Sequence, residues 1–169
     1  MKGGYKKDGR AGERDFGFFH NFYDNMIDML ERLPEEQQCR ILTFPEDRLY
    51  TDTHEWVSGE GGEVTIGLTE YAQSQLKDVV YVDLPEVGSE FKRGDSIGVV
   101  ESVKTVADVY APVTGKVIEA NSTLKDHPGF INEDPYGKGW LIKMEIRERE
   151  ELKGLLSSKA YQGSLAADE

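Results

Sequence analysis

Lys104 stands in the middle of a β-branched, glycine-punctuated stretch, Gly94-Asp-Ser-Ile-Gly-Val-Val-Glu-Ser-Val-Lys-Thr-Val-Ala-Asp-Val-Tyr-Ala-Pro-Val-Thr-Gly115. β-Branched residues favour extended backbone, and the glycines at 94, 98 and 115 mark its ends. Gly98-Val-Val-Glu-Ser echoes Gly115-Lys-Val-Ile-Glu-Ala, so the stretch reads as two quasi-equivalent strands meeting at a turn with the lysine at its tip. On chemistry alone, a lysine at a turn is a solvated charge. Other candidates for chemistry are sparse. The three histidines, His20, His54 and His127, fall in different segments without ligand spacing, and Cys39 is the one cysteine. That excludes an internal disulfide or a thiolate zinc cluster within the chain and points to a reducing compartment. No pair of carboxylates stands out as acid and base. A nucleophile–base–orienter set is missing, which favours a carrier over an enzyme.

The elements that must position Lys104 are short strands. Val64 and Ile66 alternate with Glu63 and Thr65, and Val80–Leu84 ends at Pro85. Trp140, Ile142, Met144 and Ile146 alternate with Leu141, Lys143 and Glu145, and Trp56 reads as a core or rim residue. Glu90–Gly94 reads as a turn. Thr69 is an N-cap for a short helix whose Tyr71, Ala72, Leu76 and Val79 share a side. Residues 147–157 read as a terminal helix with Leu152, Leu155 and Leu156 inward. Many short strands with Gly/Pro turns and few helices describe a small sandwich or barrel.

At 169 residues the chain suits one well-buried domain plus an extension. Domain bounds follow: 1–15 a disordered, basic, Gly-rich start; 16–48 a helical N-terminal extension; 49–160 the β domain; 161–169 a frayed tail. In the extension, Phe19, Phe22, Tyr23, Met26, Met29, Leu30 and Leu33 form one apolar stripe ending before Pro34. It packs on its own domain or makes a partner or dimer contact; its acidic polar face argues against a membrane anchor. Thirty-two acidic against twenty basic residues, a formal charge of −12, argue against nucleic acid and anionic membranes as partners. The start lacks a signal-peptide core, and Asp8, Glu13 and Asp15 make it a poor mitochondrial presequence, so a bacterial cytoplasm is expected in preference to a mitochondrial matrix.

Five ordered blocks give a resemblance covering roughly residues 49–160. They are His54-Glu-Trp-Val, Ile66-Gly-Leu-Thr-Glu-Tyr-Ala-Gln-Ser-Gln-Leu, Asp78-Val-Val-Tyr-Val-Asp-Leu-Pro-Glu-Val-Gly, Glu101-Ser-Val-Lys-Thr and Ile131-Asn-Glu-Asp-Pro-Tyr-Gly-Lys-Gly-Trp-Leu-Ile-Lys. Together they resemble the H proteins of the glycine cleavage system. The resemblance implies a mainly β fold, the barrel-sandwich hybrid of lipoyl and biotinyl carriers, with a short internal helix and a C-terminal helix, to which this chain adds its N-terminal amphipathic helix. It implies that Lys104 carries lipoate in amide linkage, one per chain, and moves an aminomethyl group from glycine decarboxylase (P protein) to the folate-dependent aminomethyltransferase (T protein). Dihydrolipoamide dehydrogenase (L protein) then reoxidises the dithiol, and a lipoate ligase or a lipoyl/octanoyl transferase loads the lysine.

Glu101, three before the lysine, is then the candidate mark for the loading enzyme; because the loaded arm would end in a cationic amine, Glu55 and Asp108 are the candidate carboxylates to shelter it, Glu55 expected from across a cleft. Members of the family commonly carry glycine where this chain has Lys77, a strain if that residue must take a positive φ. A biotin carrier would flank its lysine with methionines, where this chain has Val103 and Thr105. A lipoyl domain of another complex would place Asp before the lysine, where this chain has Val103. An H-like protein acting as a lipoate relay for protein lipoylation stays open.

Overall fold

The computed structural model describes residues 42–167, so the apolar stripe of 16–33, Cys39 and His20 lie outside the described residues. Nine strands run in the order β1 (Leu49–Tyr50), β2 (Glu55–Ser58), β3 (Glu63–Leu68), β4 (Val79–Asp83), β5 (Glu90–Phe91), β6 (Ser96–Ser102), β7 (Val106–Tyr110), β8 (Gly115–Ala120) and β9 (Ile142–Ile146). Among the described residues three α-helices punctuate them: α1 (Glu70–Leu76), α2 (Phe130–Glu133) and α3 (Ser158–Ala167). All pairings are antiparallel. The strands form a six-stranded sheet, β1-β2-β3-β9-β8-β5, and a three-stranded sheet, β4-β6-β7.

One apolar core joins the two sheets. Val64, Ile66, Val117, Ile142 and Met144 of the larger sheet bury with Val82, Ile97, Val100 and Val109 of the smaller. Strand alternation places these residues on one face of each sheet, with a register shift between Ser96 and Gly98 bringing Ile97 and Val100 of β6 to the same side. In β9, Ile142, Met144 and Ile146 point inward while Lys143 and Glu145 are half-buried. The alternation breaks one residue earlier: Leu141 is buried, and Trp140 is half-buried beside a second, aromatic cluster.

That cluster is built from Tyr50, Trp56 and Tyr161. The rings of Tyr50 and Tyr161 stack with centroids 4.9 Å apart. Gly67 is required beneath Trp56, because a Cβ there would stand 2.6 Å from the indole. The Tyr161 hydroxyl bridges His54 Nδ1 at 2.8 Å and Thr69 Oγ1 at 2.9 Å, and burial pushes its pKa up.

Several expectations shift. The echoing segments 98–102 and 115–120 are not the two arms of a hairpin: β6 lies in the smaller sheet and β8 in the larger. The partner of β6 is β7, so the repeat marks equivalent strands of the two layers. Glu90–Phe91 pairs with Gly115–Lys116 as a short strand before the turn at Gly94. Residues 147–157 hold a 3₁₀ stretch, Arg149–Gly154, and the α-helix comes later, at Ser158–Ala167. The tail is therefore not frayed from 161, because Tyr161 is fully buried and anchors that helix.

At the other end, residues 42–48 are irregular rather than helical. They belong to the compact unit that begins at Leu42. The carbonyls of Thr43, Phe44 and Pro45 accept from the hydroxyls of Tyr136, Ser158 and Tyr50. These bonds strap the segment onto the body.

Helix α1 starts as expected, with Thr69 Oγ1 accepting from the Ala72 N–H at 3.2 Å. It buries Glu70 and Gln73 beside Leu76, two polar positions that apolar periodicity does not reveal. Asn132 of α2 fastens its far end: Asn132 Nδ2 donates to Gln73 Oε1 at 3.1 Å, and its Oδ1 accepts from the Val79 N–H at 2.9 Å.

Candidate functional site

Strands β6 and β7 close into a tight hairpin, with Glu101 opposite Val106 and the Ser102 N–H donating to the Thr105 carbonyl at 2.8 Å. Val103 and Lys104 form its tip. Two-residue hairpin loops favour turns with positive φ, supplied by Gly, Asn or Asp. Neither tip residue takes a positive φ here. Instead the Ser102 hydroxyl accepts from the N–H groups of Lys104 at 3.2 Å and Thr105 at 3.1 Å. The Val103 N–H donates to the Asp78 carbonyl at 3.0 Å. Every backbone donor from 102 to 105 is thus held, and Val103, Lys104 and Thr105 are all exposed. The tip presents a lysine on a fixed backbone.

The side chains around it sort by strand alternation. On β7, Val106, Asp108 and Tyr110 face outward, whereas Val109 is buried. Glu101 is half-buried, in register with Tyr81 on one side and Val106 on the other. Asp108 is exposed, and its Oδ1 accepts from the Ser96 hydroxyl at 3.0 Å. It stands four residues beyond Lys104, about 13 Å along an extended strand.

Glu55 is placed differently from the expectation of an open carboxylate across a cleft. It opens β2 and is 1 % exposed. Its Oε2 accepts from the hydroxyls of Thr51 and Thr53, and its Oε1 accepts from the Tyr110 N–H at 3.0 Å. Desolvation by burial raises its pKa, and the three hydrogen bonds hold part of that rise back. The partners of Glu55 nonetheless border open space. Thr51, Thr53 and Tyr110 line a cavity of about 420 Å³ together with Asp52, Arg93 and Leu156. Glu55 therefore ties β2 to the end of β7, with the cavity on the far side of its donors. The outward face of β7 runs from the lysine tip to this cavity, joining all four sequence candidates to one strand. Sequence reasoning missed the two threonines and Ser102. Their signal is the Thr-x-Thr-x-Glu spacing and a serine two before the lysine.

Among the described residues no group of three or more His, Cys, Asp or Glu is placed to hold a metal ion, and no helix is long and apolar enough to cross a membrane.

A family model described as "Glycine cleavage H-protein" matches residues 48–168. The glycine cleavage system H protein of Listeria monocytogenes is 54% identical over 121 residues, 72% of this chain and 97% of that protein. The one from Staphylococcus haemolyticus is 51% identical over 121 residues, again 72% of this chain and 96% of its own length. A crystal structure of a glycine cleavage system H protein from Mycobacterium marinum superposes with a TM-score of 0.64 at 39% identity, covering 73% of this chain and 99% of that one. The two-sheet architecture is thus the barrel-sandwich fold of that structure. With the matched model spanning most of its length, the chain belongs to the glycine cleavage H-protein family, a carrier component of a multienzyme system and not one of its catalysts.

Proposed function

We propose that this protein is the lipoyl carrier of a glycine cleavage system, with Lys104 as the attachment residue. The observation that carries the reading is the exposed lysine at a hairpin tip whose backbone donors are all held. A loading enzyme needs an amine at a defined place with nothing packed over it, and a rigid tip supplies both. Loading joins Nζ to the carboxyl carbon of an activated acyl group, an adenylate or a thioester. Nζ gives up a proton, and adenylate or thiol leaves. The residues present fit a long acyl arm: the outward face of β7 offers a track, and the cavity beside Thr51, Thr53 and Tyr110 offers a resting place. Lipoate there would supply a disulfide that takes up the aminomethyl group from the decarboxylase, is left as a dithiol once the aminomethyltransferase has removed that group, and is reoxidised by dihydrolipoamide dehydrogenase.

The chain's own part is to present Lys104 and to hold the cationic end of the arm. Asp108 offers an exposed carboxylate on the track. Glu55 offers a partly desolvated one, reached only when Thr53, an exposed side chain, yields its hydrogen bond. A desolvated carboxylate makes the stronger charge-assisted contact. Glu55→Ala is therefore expected to speed ammonia and formaldehyde release from the loaded protein more than Asp108→Ala does, in the absence of the transferase. Equal release from wild type and Glu55→Ala would remove Glu55 from this role. The bacterial relatives fit a cytoplasmic setting.

The decisive test uses the whole chain with lipoate, ATP and a purified lipoate ligase. One lipoyl mass on the Lys104 peptide, absent in Lys104→Arg, is the expected result; lipoate on another lysine would overturn the assignment. Reconstituted glycine decarboxylation with the lipoylated chain then separates a glycine cleavage carrier from a lipoate relay, which would not support turnover.

A further inference from the structure

Beside the lysine tip the three-stranded sheet carries an irregularity that changes its surface. In β4, Val79 pairs with Ser102 and Tyr81 with Glu101, so Val80 is an inserted residue, a β-bulge. In a regular strand consecutive side chains take opposite faces. Here the bulge turns both Val80 and Tyr81 to solvent, 51 % and 53 % exposed. Bulges re-aim side chains at functional edges.

The neighbours extend the same surface. Tyr81, Glu101 and Val106 form one cross-strand rung over β4, β6 and β7, and Val106 is 62 % exposed. Val103, 69 % exposed, stands at the tip beyond it. Among the described residues, seven large apolar side chains are exposed, and four of them, Val80, Tyr81, Val103 and Val106, gather around Lys104. The next outward rung is Asp83, Val99 and Asp108. The face therefore combines an apolar centre with carboxylates at 83, 101 and 108, while strands β4, β6 and β7 contain no lysine or arginine.

We propose that this rung, Tyr81–Glu101–Val106, is the docking face read by the enzyme that loads Lys104. The occupant is an acyl-transferring enzyme whose lysine channel has an apolar rim set with basic side chains. Charge complementarity gives the sign, and the apolar centre gives the contact that survives salt. Geometry selects the loading enzyme from the others that act on the carrier. Before loading, the reacting Nζ lies no farther from the sheet than a lysine side chain, so the enzyme must touch the flanking rung. After loading, the reacting atoms sit at the far end of a much longer arm, and enzymes working there need no contact with Tyr81.

The inference rests on Lys104 being the acceptor, and the experiment separates the two. Wild type is lipoylated by purified ligase with lipoate and ATP, and the modified peptide is mapped; a site other than Lys104 sinks the underlying assignment. Lipoylation kcat/KM is then measured for Tyr81→Ala, Tyr81→Gln, Val106→Ser and Tyr81→Phe. The expected result is a fall of tenfold or more for Tyr81→Ala and Tyr81→Gln, and about threefold for Val106→Ser, with Tyr81→Phe near wild type. Lys104 reactivity toward limiting acetic anhydride, the melting midpoint and reduction of the lipoylated variants by dihydrolipoamide dehydrogenase should all stay within twofold or a degree of wild type. A change in lipoylation below twofold overturns the proposal. So does an equal fall in the dehydrogenase reaction, which would make the face common to every partner.

Discussion

The Lys104 tip and the Thr51–Glu55 corner sit at opposite ends of the outward face of β7 and solve opposite problems. At the tip the backbone is held while the side chains are left open: Ser102 and Asp78 take the amide donors, and Val103, Lys104 and Thr105 are exposed. At the corner a side chain is the held object. The Glu55 carboxylate is 1 % exposed and takes two hydroxyls and one amide. Its neighbour His54 is forced to a φ of 73°. The difference separates presentation from fixation. On the proposed reading, the tip leaves the acceptor lysine open to solvent, and the corner offers the end of the arm a carboxylate held in place by its neighbours.

Stability should follow this division. Glu55→Ala leaves the Tyr110 N–H and two threonine hydroxyls without their acceptor, at about 2–3 kcal/mol, part of it returned as the buried charge is removed. Lys104→Ala removes an exposed side chain and should stay within about 0.5 kcal/mol. Urea unfolding of both variants measures the gap; equal costs would mean that the tip is structural too.

The pH response distinguishes the regions further. Burial raises the Glu55 pKa from its ordinary 4.5, so the folded state holds that proton more tightly than the unfolded chain. The stability linked to this group is full below pH 4.5 and is lost as pH rises through the folded value. Glu55→Gln has no such group. The difference in unfolding free energy, wild type minus Glu55→Gln, should therefore fall as pH is raised from 4 to 8. A difference that grew with pH would show that the hydrogen bonds outweigh desolvation.

A smaller effect is expected at Ser102. Ser102→Ala releases two amides that water can reach, at roughly 0.5–1 kcal/mol, and loosens the tip. Lipoylation should slow while the melting midpoint barely moves. An unchanged lipoylation rate would mean that the tip owes its shape to the β6–β7 pairing and the Asp78 carbonyl alone.

The sequence made the Lys104 tip legible because its determinants are local: β-branched flanks, bounding glycines and a five-residue motif. Thr69 as a cap was legible for the same reason. The corner was not, because Glu55 is fixed by Tyr110, a residue distant in sequence, and its burial depends on how β2 meets β7. The assignment of the echoing segments to one hairpin failed similarly. Similar strand text in two layers says nothing of which strand pairs with which, and only register shows that β6 and β8 lie in different sheets. The terminal helix was misplaced because three leucines at 152, 155 and 156 suggested one. The buried Tyr161, which anchors the real helix, follows them in a stretch of weak periodicity.

The last predicted effect concerns Lys77, one of two non-glycine residues with a positive φ among the described residues. Lys77 ends α1 with φ 65° and ψ −144°, a region suited to glycine, and at a non-glycine residue it costs about 1–3 kcal/mol. The residue is exposed, so its side chain packs little in return. Its backbone is well used: the N–H donates to Gln73 at 3.1 Å, and the carbonyl accepts from Asn132 Nδ2 at 2.6 Å. Those bonds force the conformation and would persist in Lys77→Gly. Glycine removes the steric cost but gives the unfolded chain more freedom, which takes back about 0.5–1 kcal/mol. Lys77→Gly should therefore raise stability by up to about 2 kcal/mol, whereas Lys77→Ala, which keeps the Cβ, should not. Because Asp78 next in the chain holds the Val103 amide, the same variant tests whether relaxing the helix end disturbs the lysine tip. Lipoylation at the wild-type rate, together with a higher unfolding midpoint in urea, is the expected pair of results. A destabilised Lys77→Gly would show that the lysine side chain contributes contacts worth more than the strain it imposes.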